Sequence, residues 1–251
     1  MARVWDKYLT DYDKAHLAVA RDRRVGFGKK PALLLIDLYR AVFGDEPEHL
    51  LESIKKWPSS HGMKGWEALP HIQRLLESCR AAQIPVIHIT MLTESGMLGW
   101  YDAAHRDSGG RWGAGRGGEL DAAALDRKRR AADIIDEVAP VAGEVVLKKT
   151  APSAFWGTPL AGHLTYLGVD TLIVGGEATS GCVRASVVEA ASHRYRVQVV
   201  EECCFDRHEA THALNLYDMH QKYADVIPVA DALSWIEGYR AAGQVKQPAL
   251  V

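Results

Sequence analysis

The sequence predicts an α/β protein: three layers, α/β/α, around a Rossmann-like, mostly parallel sheet of about six strands. Three observations carry that reading. Short β-rich runs alternate with helical periodicities along the chain, as they do in βαβ units. The first run, PALLLID at 31–37, is apolar up to its last residue, as a strand covered on both faces must be. And 251 residues, 47% hydrophobic and 25% charged, suffice for one large core.

The elements follow in order. Residues 1–27 mix Trp5, Tyr8 and Tyr12 with charges and read as a helical or irregular arm, of a kind that often packs on another subunit. The domain proper is expected over 28–238, with a tail at 239–251. After the first strand, which ends on Asp37, Leu69, Ile72, Leu75, Leu76 and Cys79 recur at spacings of three and four and predict a helix over 66–82. A second strand, IPVIHIT at 84–90, completes a βαβ unit. Residues 95–118 are rich in glycine and carry Trp100, Tyr101 and Trp112; they read equally as a surface insertion and as an active-site lid. Further strands are expected at 145–149 (VVLKK), 171–175 (TLIVG), 197–200 (VQVV) and 226–229 (VIPV). Ligands of such sheets bind outside the carboxyl ends of the strands, where Asp37, Lys149 and the Gly-rich segment after Val174 all fall.

A net charge of −2 gives no electrostatic reason to expect nucleic acid or an anionic membrane as partner, so a small-molecule substrate fits better. No apolar stretch is long enough to span a bilayer and the first residues lack a signal-peptide run, which points to the cytoplasm. The four cysteines, Cys79, Cys182, Cys203 and Cys204, are too irregularly spaced for a disulfide framework and are expected as thiols, with Cys203 and Cys204 filling the end of a buried strand.

The segment LIVGGEATSGCVRASVVEAASHR, 172–194, reads as strand, tight turn, then a cysteine opening a helix with Val183, Val187, Val188 and Ala191 on its buried face. Unpaired N–H groups and the positive end of the macrodipole at a helix start favour thiolate over thiol, so Cys182 is a candidate nucleophile. The same N–H groups can hold an oxyanion. A lone cysteine there can equally be a small core residue; the strand-turn-helix setting favours the reactive reading. Cleaving an amide also requires a group that takes the thiol proton and returns it to the departing nitrogen. Asp37 can do both, or can be a helix N-cap. A lysine from a nearby strand end, Lys149 or Lys148, would stabilise the charge.

The three segments LLLID (33–37), KTAPSAFWGTPL (149–160) and GGEATSGCVRAS (175–186) together resemble the isochorismatase-like cysteine hydrolases, in particular the N-carbamoylsarcosine amidase branch. The resemblance spans about 31–233 and implies that fold. It implies a catalytic triad of Asp37, Lys149 and Cys182, with Lys148 on the opposite face of the strand. It implies a cis peptide between Glu177 and Ala178, an oxyanion hole from the N–H groups of Ala178 and Cys182, and ammonia release through a thioester. The GDR segment of the amidase branch reads FDR here and puts Arg207 in the position that binds a substrate carboxylate; read without the family, Arg207 is a solvated or ion-paired residue. Phe43 and Trp156 suggest a partly apolar substrate pocket. The expected substrates are N-carbamoyl amino acids, ureides or maleamate-like amides, with no cofactor and a homo-oligomer, dimer or tetramer, as the assembly. The cysteine argues against vinyl-ether cleavage, and HITMLTESG after the second strand lacks the Asp-x-His metal cluster of the nicotinamidase branch, so no metal is expected.

A rival motif exists. His208-Glu209-Ala-Thr-His212 matches the H-E-x-x-H helix signature of zinc hydrolases, following Asp206 as a helix cap. Among eleven histidines a chance match is the better reading. A catalytically silent family member that only binds a metabolite is the other alternative.

Overall fold

The computed structural model describes residues 3–21, 23–92 and 121–243. The 95–118 segment and the last eight residues of the expected tail lie outside them. Six strands, β1 (Pro31–Ile36), β2 (Val86–Met91), β3 (Val145–Lys149), β4 (Thr171–Gly176), β5 (Arg196–Cys204) and β6 (Asp225–Ile227), form one sheet in the order β3-β2-β1-β4-β5-β6, parallel at every pairing. The family resemblance and the three-layer reading both call for this arrangement.

β1 shows why its sequence is apolar throughout. Successive side chains of a strand point to opposite faces. Leu33 and Leu35 enter one core, under α4 (Met63–Ala81) and α9 (Val229–Ala241). Ala32, Leu34 and Ile36 enter the other, under α6 (Leu160–Leu167), α7 (Arg184–Ser192) and α8 (Glu209–Lys222). Shorter helices α1 (Asp11–Val19), α2 (Arg40–Phe43), α3 (Leu50–Lys56) and α5 (Ala122–Arg130) complete the described set. The chain builds outward from β1 to β3, then returns to β4 on the other side of β1, so the order reverses between β1 and β4 and a crevice opens at their carboxyl ends.

Several boundaries differ from expectation. β2 starts at Val86, because Pro85 has no N–H to give the ladder. β5 runs on to Cys204 through a register shift that follows the pairing of Val174, an irregularity that Glu201 and Glu202 mask in the sequence. Cys203 and Cys204 do fill the buried end of that strand. α9 continues to Ala241, into the stretch read as tail, and Pro228 is its N-cap rather than a strand residue. The buried face of α7 and the turn before it is Val183, Ser186, Val187 and Ala190, while Val188 and Ala191 are half-buried.

The arm divides in two. Trp5 is buried in the second core against Tyr217 and His220, Arg3 pairs with Glu201 at 3.0 Å, and Lys7 pairs with Glu209. α1, capped by a reciprocal Thr10–Asp13 box, buries none of its residues. Among the described residues no helix is long and apolar enough to cross a membrane.

Candidate active site

Asp37 follows β1 directly, with its N–H donating to Ile89 O of β2 at 3.0 Å. Its φ of 59° lies in the left-handed region, which a non-glycine residue enters at a cost and which is commonest at sites under functional constraint. This turns the carboxyl group into the crevice rather than onto the next helix. Gly176 ends β4 beside it at φ 130°; a β-carbon there would overlap the Ile36 carbonyl oxygen, so only glycine lets the two strand ends close up.

Lys149 ends β3, and β3 is not the neighbour of β1: β2 lies between them. Adjacent strands are about 4.8 Å apart, so the lysine stem must cross one strand to reach Asp37. It does so, bringing Nζ to 2.8 Å from Asp37 Oδ2 and 3.2 Å from Cys182 Sγ. Lys148, one register earlier, is exposed. The ammonium meets the carboxylate as an ion pair; neither Asp37 oxygen receives a hydrogen bond of good alignment, so both remain able to take a proton.

Cys182 does not open an α-helix. Residues Thr179–Val183 form one π-helical turn, with Val183 N–H donating to Ala178 O at 3.2 Å, and the α-helix begins only at Arg184. Single π turns of this kind recur at functional sites. Ser186 Oγ donates to Cys182 O at 2.7 Å and accepts from Ala154 N–H at 2.9 Å, tying the turn to the segment after β3. Asp206 accepts from the Ser180 N–H at 2.9 Å and the Ser180 hydroxyl at 2.7 Å, so it holds the turn instead of capping a helix. The peptide bond between Glu177 and Ala178 is cis.

The electrostatics differ from what a helix start alone would give. Burial pushes the Cys182 thiol well up, with the charges of Asp37 and Glu177 adding and Lys149 opposing, so the resting sulfur keeps its proton. Burial raises the Asp37 carboxyl to about 6 in spite of Lys149, with Glu177 adding to the rise. Burial lowers the affinity of Lys149 for its proton, but Asp37 and Cys182 outweigh it and the ammonium is held firmly. At neutral pH the group is therefore carboxylate, ammonium and thiol.

The other expected site residues fall around this centre. Arg207 donates from Nε to Ser60 O at 2.8 Å and from a terminal nitrogen to Pro58 O at 3.2 Å, which fixes its guanidinium against the loop before α4. Phe43 is fully buried, edge-on to Trp66 and Phe205, and gives its ring to the core rather than to a pocket. Trp156 is 64% exposed and lines a groove of about 740 Å³ with Thr150, Pro152, Ala185 and Val188. His208 is the extended N-cap of α8 and lies outside the helix, so it does not share a helical face with His212. His212 Nδ1 bonds the Thr179 hydroxyl at 2.8 Å, and Glu209 pairs with Lys7. Among the described residues no group of three or more His, Cys, Asp or Glu side chains is gathered as a metal site.

Comparison with known proteins places this architecture. The isochorismatase domain model matches residues 31–231. The chain is 36% identical to a maleamate amidohydrolase of Pseudomonas putida over 84% of this chain and 89% of that one. It is 32% identical to an N-carbamoylsarcosine amidase of an Arthrobacter species over 86% of this chain and 74% of that one. Among solved structures, a cysteine hydrolase from Pseudomonas syringae superposes with a TM-score of 0.71 at 17% identity, covering 88% of this chain and 99% of that one, a likeness of fold. The chain belongs to the isochorismatase family.

Proposed function

We propose that this member of the isochorismatase family is a cysteine-dependent amidohydrolase that releases ammonia from a small amide or ureide bearing a carboxylate. The observation that carries the reading is the meeting of a thiol, a raised carboxylate and an ammonium at the crevice between β1 and β4, with Lys149 Nζ within 3.2 Å of Cys182 Sγ and 2.8 Å of Asp37 Oδ2. That two relatives are named as amide-cleaving hydrolases, of maleamate and N-carbamoylsarcosine, supports the bond type.

In the proposed reaction Asp37 takes the proton from Cys182 Sγ as sulfur bonds to the amide carbon and the carbonyl electron pair moves onto oxygen. The N–H groups of Glu177, Thr179, Ser180, Gly181 and Val183 are all given to internal acceptors. That leaves those of Ala178 and Cys182 in the turn as the pair proposed to hold the oxyanion. Collapse breaks the C–N bond, Asp37 returns its proton to nitrogen, and ammonia leaves a thioester. Water then adds, giving a proton to Asp37; the C–S bond breaks and sulfur takes that proton back. Lys149 keeps its charge throughout and offsets the negative charge that passes between carboxylate and sulfur. Arg207, fixed by the Pro58 and Ser60 carbonyls, is the proposed partner of the substrate carboxylate, which both named substrates carry.

The test is ammonia release from a panel of maleamate, N-carbamoyl amino acids and neutral amides, with Cys182→Ala and a chelator as controls. Release from the acidic amides is expected to fall at least ~10³-fold in Cys182→Ala and to survive the chelator. Turnover that persists in the variant, or disappears with the chelator, would sink the cysteine mechanism.

A further inference from the structure

The chain leaves β4 toward the nucleophile turn and leaves β5 toward Arg207, and the two exits run side by side. Gly176 pairs with Cys204 at the strand ends, and the pairing continues past them. Phe205 N–H donates to Gly176 O at 3.2 Å, and Thr179 N–H donates to Phe205 O at 3.0 Å. Asp206 then joins the two segments through its buried side chain. Its Oδ2 takes the Ser180 N–H and hydroxyl, and its Oδ1 takes the Arg207 N–H at 2.8 Å. Ser180 lies midway between Ala178 and Cys182, the residues whose N–H groups are proposed to hold the oxyanion.

Both ends of this link are braced from elsewhere. The Arg207 guanidinium is oriented by the Ser60 and Pro58 carbonyls, which are neutral and leave its charge for an anion. The loop that carries them is pinned in its turn: Ser53 Oγ donates to Ser60 Oγ at 2.6 Å, and His61 N–H donates to Val42 O at 2.9 Å. On the other side His212 Nδ1 bonds the Thr179 hydroxyl, and Ser186 Oγ donates to Cys182 O. Asp206 is the side chain bonded to both braced segments.

We infer that Asp206 is a positioning residue that fixes the spacing between Arg207 and the nucleophile turn, and so selects substrates by the length of chain between their carboxylate and their amide. The role rests on the cysteine amidohydrolase reading above, with Arg207 as the carboxylate partner. A substrate held at both ends tolerates little error, since a misplacement of about 1 Å costs on the order of 10²-fold in rate. An amide one methylene too short or too long reaches the sulfur only by giving up its grip on the guanidinium.

The test is ammonia release by the full chain from two ladders of acids: oxamate, malonamate, succinamate, maleamate and glutaramate, then N-carbamoylglycine and N-carbamoyl-β-alanine, with butyramide as the neutral amide. The wild type is expected to favour one spacing over its neighbours by about tenfold or more. In Asp206→Ala, kcat/KM for the favoured acid should fall about 30- to 100-fold and that for the neighbouring spacings and butyramide about tenfold, so the preference shrinks by about threefold or more. Asp206→Asn, which keeps one acceptor oxygen, should lie between. Melting curves identify the variants that fold, and Ser180→Ala, which removes the hydroxyl bond alone, should flatten the preference about twofold. Equal falls at every spacing in the folded variants would make Asp206 a purely structural brace and overturn the inference while sparing the hydrolase reading. A wild type that cleaves acidic amides of every spacing alike would do the same. A wild type that releases ammonia from no member of the panel would overturn the hydrolase reading and this role with it.

Discussion

Two clusters in this molecule set a histidine and a cation against buried acids, and they are built to opposite ends. At the β2–β3 side, Glu144 accepts from Arg80 Nε at 2.7 Å, from an Arg80 terminal nitrogen at 2.9 Å and from Val141 N–H at 3.0 Å, and it pairs with His88 Nε2 at 2.9 Å. Burial alone would raise Glu144, yet Arg80 and His88 hold it down to about 2. At the crevice, Asp37 has an ammonium at 2.8 Å but no well-aligned donor, and it rises to about 6. A buried acid whose acceptor sites are filled is inert and holds structure together. One left open is poised to exchange a proton.

The contrast can be broken from either side. The largest expected effect is at the crevice: Lys149→Met removes the cation that both Asp37 and Cys182 share and should cut ammonia release by roughly 10²- to 10³-fold while the melting temperature changes little in comparison. A variant with near-full turnover would show that the ammonium is dispensable. Next, the open acid predicts a pH limb. Asp37 must be ionised to act as base, so kcat/KM should fall about tenfold for each unit below about 6, and a profile flat from pH 7 to 5 would exclude it as the base. The smallest kinetic effect is expected at the filled cluster. Glu144→Gln should leave kcat within about twofold but cost about 2 kcal/mol of stability at pH 7 in urea titrations. Because Glu144 is depressed from its ordinary 4.5 to about 2, its contribution is fully present above 4.5 and is lost as pH falls toward 2. The difference between variant and wild type should shrink accordingly. Asp37 has the opposite sign: raised from 3.8 to about 6, its ionisation works against folding as pH climbs through that window, so mild acid should strengthen the fold at this point.

Much of this was legible in the chain as written. PALLLID could be placed as a central strand because both of its faces are covered, and the helix over Leu69 to Cys79 because one face is. Asp37, Lys149 and Cys182 could be gathered because each ends or follows a strand of a parallel sheet, which sends all three to one rim. What escaped were the features that depend on pairings distant in sequence. His61 meets Glu177, Asp206 meets Ser180 and His212 meets Thr179, and no periodicity marks any of them. The π turn escaped because its backbone is set by the packing of Ser186 and Ala154 rather than by a residue preference. The aromatic character of the arm was visible, but not that Trp5 would be buried within its own chain while Tyr12 stays exposed.

The anchoring of Trp5 has a practical side for handling the protein. The first few residues are fastened by Arg3 to Glu201 and by Lys7 to Glu209, just where β5 ends and α8 begins. Drawing this segment away would load the end of β5 and the start of α8, on either side of Asp206 and Arg207.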